Sequence, residues 1–101
     1  MARFDIQFAP SFSRDLKKIA KRHVDVSLLS EVIELIANND ESSKDELRRR
    51  HRMHALKGDW EGSMECHVCN LGDWLLVWQE KNGIALLVRT GRHDEVFRKT
   101  R

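Results

Sequence analysis

The chain has 101 residues, 41% of them hydrophobic and 34% charged, with a net charge of +2. That length fits one domain spanning residues 1–101; the apolar share is too high for a disordered chain, and no apolar run approaches the ~20 residues of a membrane helix. Two cysteines and an N-terminus, MARFDIQFAP, without a signal-peptide stretch point to a cytoplasmic, reducing setting with free thiols.

Residues 3–8 alternate, with Phe4, Ile6 and Phe8 on one side and Arg3, Asp5 and Gln7 on the other, which predicts a half-buried strand. Pro10 ends it. Ser11 or Ser13 is placed to cap a helix running to about Arg22, with Phe12, Leu16, Ile19 and Ala20 as its apolar stripe. Asp25 or Ser27 caps a second helix that buries Leu28, Leu29, Val32, Ile33, Leu35 and Ile36 and stops at Asn38-Asn39. The two helices read as a helical hairpin. Residues 40–52 contain Leu47 as their only large aliphatic residue and read as an exposed, mobile connector.

Glycines punctuate the second half at strand spacing. SMECHVC is strand-like, DWLLVWQE is a near-continuous apolar run of the central-strand kind, and Asn82-Gly83 predicts a hairpin into GIALLVRT. The pattern is α+β: an N-terminal strand and helical hairpin packed on a twisted, mainly antiparallel sheet.

Charge is unevenly spread. Residues 25–46 hold seven acids against the single base Lys44, while bases gather at Arg14–Arg22, Arg48–Lys57 and Arg89–Arg101. Such clusters fit a polyanion-facing surface; solvated helix faces are the plainer alternative. By the period of two, Glu65 and His67 share one strand face and Cys66 and Val68 the other. The apolar face goes to the helices, and the opposite, open face carries Glu65 and His67. A carboxylate beside an imidazole is a plausible general acid/base pair. Cys66 and Cys69 form a CxxC, but residues three apart on a strand face opposite ways, which is poor geometry for sharing a metal. Trp74 and Trp78 read as core, and Trp60 in KGDWEG as either core or a base-stacking ring.

Four segments in this order carry a resemblance: His54 to Gly62 (HALKGDWEG), Glu65 to Val68 (ECHV), Gly72 to Trp78 (GDWLLVW) and Thr90 to Phe97 (TGRHDEVF). Together they resemble the YafQ branch of the RelE/ParE toxin superfamily, over nearly the whole chain. The resemblance implies a RelE-like fold and the toxin of a type II toxin–antitoxin pair: an mRNA interferase that cuts mRNA in the ribosomal A site without a metal or other cofactor. It maps the family's catalytic set onto His54, Glu65, His67, Asp73, His93 and Phe97. One position departs: Glu65 stands where the family pattern has Asp, one methylene longer. The cysteines are outside the pattern.

The residue types agree with that chemistry. Metal-free RNA cleavage needs a base for the ribose 2′-hydroxyl, an acid for the leaving 5′-oxygen and cations for the phosphate. Three imidazoles supply the proton transfers, Lys57, Arg89 and Arg92 the phosphate contacts, and Phe97 a stacking surface. Which histidine is base and which acid stays open; His67, oriented by Glu65 or Asp73, and His93 are the first choices, with His54 assisting. Lys17, Lys18 and Lys21 would dock on ribosomal RNA. The family also implies a cognate antitoxin that wraps the basic surface with an acidic segment, and no membrane partner. The alternatives are a ParE-like DNA gyrase inhibitor, against which the three histidines argue, a non-catalytic RNA- or ribosome-binding module, and an interaction protein.

Overall fold

A computed structural model describes residues 3–22, 24–69 and 73–97. Along the chain lie β1 (Asp5–Phe8), α1 (Pro10–Ala20), α2 (Val26–Asn38), α3 (Glu41–His51), β2 (His54–Ala55), a 3-10 turn (Gly58–Trp60), β3 (Met64–His67), β4 (Leu75–Lys81), β5 (Ile84–Gly91) and α4 (His93–Val96). The strands form one sheet in the order β1-β5-β4-β3-β2, with β1 parallel to β5 and the other pairs antiparallel. This is the expected α+β architecture. Gly72 and the basic tail beyond Phe97 lie outside the described residues.

Register decides which side chains share a face, because directly paired residues project the same way. Met64, Trp78 and Leu87 form one row and Cys66, Leu76 and Thr90 the next. Phe12, Ile19, Leu29, Val32, Ile36 and Leu47 pack onto this face as a single apolar cluster. The opposite face carries the rows His54–Glu65–Val77–Arg89 and His67–Leu75–Gly91. At the β4–β5 turn, Asn82 and Gly83 both take positive φ, 52° and 78°. That matches the right-handed twist of a tight hairpin.

Three expectations need correction. α1 is not capped by Ser11 or Ser13: Pro10 starts the helix behind Ala9, because its fixed φ suits the first turn and its missing N–H is not needed there. Ser11 Oγ instead donates to the Val88 carbonyl at 2.6 Å. Residues 40–52 are not a mobile connector. The Asp40 side chain accepts from Ser43 N–H, Arg49 pairs with Asp45 and Arg50 with Glu46 one turn apart, and Leu47 is buried. Acid at the first turn and base at the last also suit the helix dipole, so α3 forms with a single apolar anchor. It ends at Arg52 in the left-handed region and packs against α2.

The third correction concerns the face expected to be open. Glu65 is 3% exposed, and Leu75 and Val77 are fully buried. The chain turns back after β5 through Gly91, at φ 148°, and seats Val96 at 1% exposure. The Arg89 guanidinium, on this face, reaches the carbonyls of Glu95 and Val96. α4 therefore folds onto the side of the sheet that the helical layer leaves bare.

Candidate active site

Two short elements, β2 and α4, each position part of the sequence-predicted set. β2 pairs His54 directly with Glu65. His54 Nε2 stands 3.3 Å from Glu65 Oε1, and His54 Nδ1 donates to the Arg52 carbonyl at 2.9 Å. A half-exposed imidazole is thus held between a carbonyl and a buried carboxylate. Glu65 meets His54 despite its extra methylene, because adjacent strands bring the two Cα atoms opposite each other. His67 lies two residues further along the same face of β3. Its backbone carbonyl meets His51 Nδ1 at 2.8 Å, while its own ring makes no hydrogen bond among the described residues.

α4 supplies the other half. The Asp73 carboxylate accepts the His93 backbone N–H at 3.0 Å, so Asp73 fixes where α4 begins. His93 and Phe97 are one turn apart, with ring centroids at 5.0 Å. Phe97 meets the edge of Trp60 at 5.2 Å and 86°. Trp60 was ambiguous in the sequence; it joins the 3-10 turn to α4 through this ring contact, an arrangement worth about 1 kcal/mol.

The expected phosphate ligands separate into two groups. Lys57 and Arg92 are exposed, at the edges of the 3-10 turn and of α4. Arg89 is engaged within the fold: it makes two contacts with Asp15, at 2.6 and 3.1 Å, besides those to α4 carbonyls. Lys17 and Lys18 are exposed on α1 and Lys21 is exposed at its C-terminal cap. Sequence reading missed Asp15, Arg22 and Glu95. Arg22 pairs with Glu95 through both terminal guanidinium nitrogens, and Glu95 Oε1 also accepts the Arg92 N–H at 3.0 Å. These contacts hold the Glu95 carboxyl well below its usual range, at about 2. The one local signal was Glu95 at the third position of a helix; its partner lies 73 residues away.

Cys66 belongs to the core face, and burial pushes its thiol up, away from reactivity. Neither Cys66 nor Cys69 is in a disulfide. Among the described residues, no group of three or more His, Cys, Asp or Glu side chains is placed to hold a metal.

A mixed five-stranded sheet with helices on one face and His54 and His67 on the other defines a RelE-like toxin fold, and solved toxins share it. A copper-bound mutant toxin from Helicobacter pylori superposes with a TM-score of 0.80 at 32% identity, over 93% of this chain and 99% of that one. The toxin of the Escherichia coli DinJ-YafQ toxin-antitoxin complex does so with a TM-score of 0.79 at 30% identity, over 94% and 98%. In sequence, the mRNA interferase toxin YafQ of Escherichia coli is 31% identical over 97 residues, 96% of this chain and 99% of the relative. The family model for YafQ, bacterial toxin of type II toxin-antitoxin systems, matches residues 4–98. The chain belongs to the YafQ toxin family.

Proposed function

We propose that this toxin is an endoribonuclease that cleaves mRNA on the ribosome, without a metal, by activating the ribose 2′-hydroxyl against the adjacent phosphate. The observation that carries this reading is the His54–Glu65 pair on the same sheet face as His67, with α4 folded onto that face bearing His93 and Phe97.

The histidines fall into different roles by their partners. Both nitrogens of His54 face acceptors, so His54 is held in place and assists by ordering the Glu65 carboxylate rather than by transferring a proton. The rings of His67 and His93 make no hydrogen bond among the described residues and are free for proton transfer. One takes the 2′-hydroxyl proton and the other returns a proton to the leaving 5′-oxygen; the products are a 2′,3′-cyclic phosphate and a free 5′-hydroxyl. General acid and base of this kind contribute about 10²–10⁴-fold in rate. Lys57 and Arg92 offset the charge that builds on the phosphate. Phe97, braced by Trp60, stacks on a base and keeps the 2′-oxygen in line with the scissile bond. Asp73 positions His93 through its backbone.

Lys17, Lys18 and Lys21 form an exposed basic face for ribosomal RNA, and the cognate antitoxin, by analogy with the DinJ complex, is the partner that silences the toxin in the cytoplasm. The test is primer extension on a reporter mRNA in a translation extract, with wild type beside His93→Ala. Discrete cuts that need ribosomes and vanish in the variant are expected. Intact mRNA despite growth arrest in cells would shift the target to gyrase. Neutralising Lys17, Lys18 and Lys21 together is expected to weaken ribosome binding and flatten its salt dependence.

A further inference from the structure

We infer that Arg22 and Glu95 are positioning residues for catalysis: an ion pair from the end of α1 sets α4, and through it His93 and Phe97, against the histidines of the sheet. The inference rests on the nuclease reading above and deepens it.

α4 has four residues and cannot hold itself. Its register depends on outside partners. Asp73 takes its first N–H, and Glu95 takes the Arg92 N–H. Glu95 is in turn gripped by both terminal nitrogens of Arg22. Gly91 fits the same arrangement: a Cβ there would stand 3.1 Å from Glu95 Oε1, so the site keeps room for this carboxylate. Two residues before Glu95 is His93 and two after is Phe97. A shift of Glu95 therefore moves both rings together.

The pair also rests on a braced base. Asp15 accepts from Arg89 and from the Thr90 N–H at 3.0 Å, which ties α1 to the end of β5 just where β1 no longer pairs with it. Arg89 then contacts the last carbonyls of α4. α1 thus reaches α4 by two arginines, one just past its C-terminus and one on β5. Arg22 sits in a basic cluster that otherwise reads as an RNA-docking face, yet its guanidinium is turned onto Glu95.

The two readings of Arg22 make opposite predictions for Glu95. If Arg22 contacts RNA, removing the neighbouring acid strengthens RNA binding. If the pair positions α4, removing either partner does the same damage. The experiment measures ribosome-dependent cleavage kinetics for wild type, Arg22→Gln, Glu95→Gln and the double variant, with hydrogen exchange of the α4 amides alongside. The expected result is a kcat reduced by up to about 10²-fold in each single variant, the cost of misplacing a reacting group by about 1 Å. KM stays unchanged, the double variant is no slower than either single one, and α4 exchange rises about tenfold in all three. A raised KM in Arg22→Gln together with undiminished cleavage by Glu95→Gln overturns the proposal, and so does unchanged α4 exchange. If wild type itself does not cleave, the nuclease reading and its catalytic consequence both fall, and α4 exchange still shows whether the pair holds the helix.

Discussion

On β3, Cys66 and Glu65 are neighbours in the chain, are 0% and 3% exposed, and are buried for different reasons. Cys66 faces a layer of aliphatic and aromatic side chains from three helices, where removal of apolar surface from water supplies the stability. Glu65 faces His54, and that side of the sheet is closed by a short helix held through ion pairs and backbone hydrogen bonds. The difference separates two tasks. The helical face tolerates no polar group without a partner and needs none. In the proposed mechanism, the other face accepts the cost of burying charge because its polar groups act on the substrate.

The sharpest break of this comparison substitutes one large residue on each face. Trp78, fully buried on the helical face, is expected to cost about 3–5 kcal/mol of stability as Trp78→Ala, read by thermal or urea unfolding. Its residual cleavage should track the folded fraction. His93→Ala, on the exposed start of α4, is expected to lower cleavage about 10²–10⁴-fold while unfolding stays within about 0.5 kcal/mol of wild type. Equal loss of stability in both would erase the distinction between the faces.

Asp15 tests the border between them. It is 6% exposed, belongs to α1, and serves the site face through Arg89 and Thr90. Asp15→Ala strands a half-buried guanidinium and a sheet-edge N–H, and about 3 kcal/mol of stability is expected to go. Glu65→Gln sharpens the contrast in the opposite sense. It keeps shape and removes a buried carboxylate, so Tm should not fall, yet His54 loses its carboxylate partner and cleavage should drop about tenfold. A large drop in Tm would assign Glu65 to the fold rather than to the site.

Much of the fold was legible because burial imprints a period. The alternation in β1, the apolar run of β4 and the Asn82-Gly83 turn each state their structure locally. α3 was not legible from apolar spacing, since Leu47 is its single core contact; its signs were an Asp cap, acids ahead of bases and partners four residues apart. The site was legible in part. Histidines and Asp73 fall in short motifs, and their resemblance to YafQ toxins placed them. Arg22, Asp15 and Arg89 could not be read as partners, because ion pairs between residues more than 70 apart leave no period and resemble ordinary surface charge. Burial of Glu65 was also hidden: the alternation of β3 shows which face it takes, but not that the chain returns from β5 to cover that face.

The smallest expected effect concerns acid. Glu95 has its carboxyl held at about 2 in the folded chain, first by the Arg22 side chain and next by the Arg92 N–H, against an ordinary value of 4.5. A carboxyl whose folded pKa is depressed contributes stability above its unfolded value and loses it as pH falls through the folded one. The contribution is therefore complete above pH 4.5, declines between 4.5 and about 2, and is absent below. The side chain is 33% exposed, so solvent screening holds it to about 1 kcal/mol. Asp25 and Asp40, lowered by their helix caps, act in the same direction on the helical layer. Subtracting the unfolding curve of Glu95→Gln from that of wild type, point by point from pH 5 to pH 2, removes those caps from the comparison. A difference that shrinks across this window is expected; one that stays flat would mean that the charge of Glu95 does not hold α4 and that its hydrogen bonds alone do.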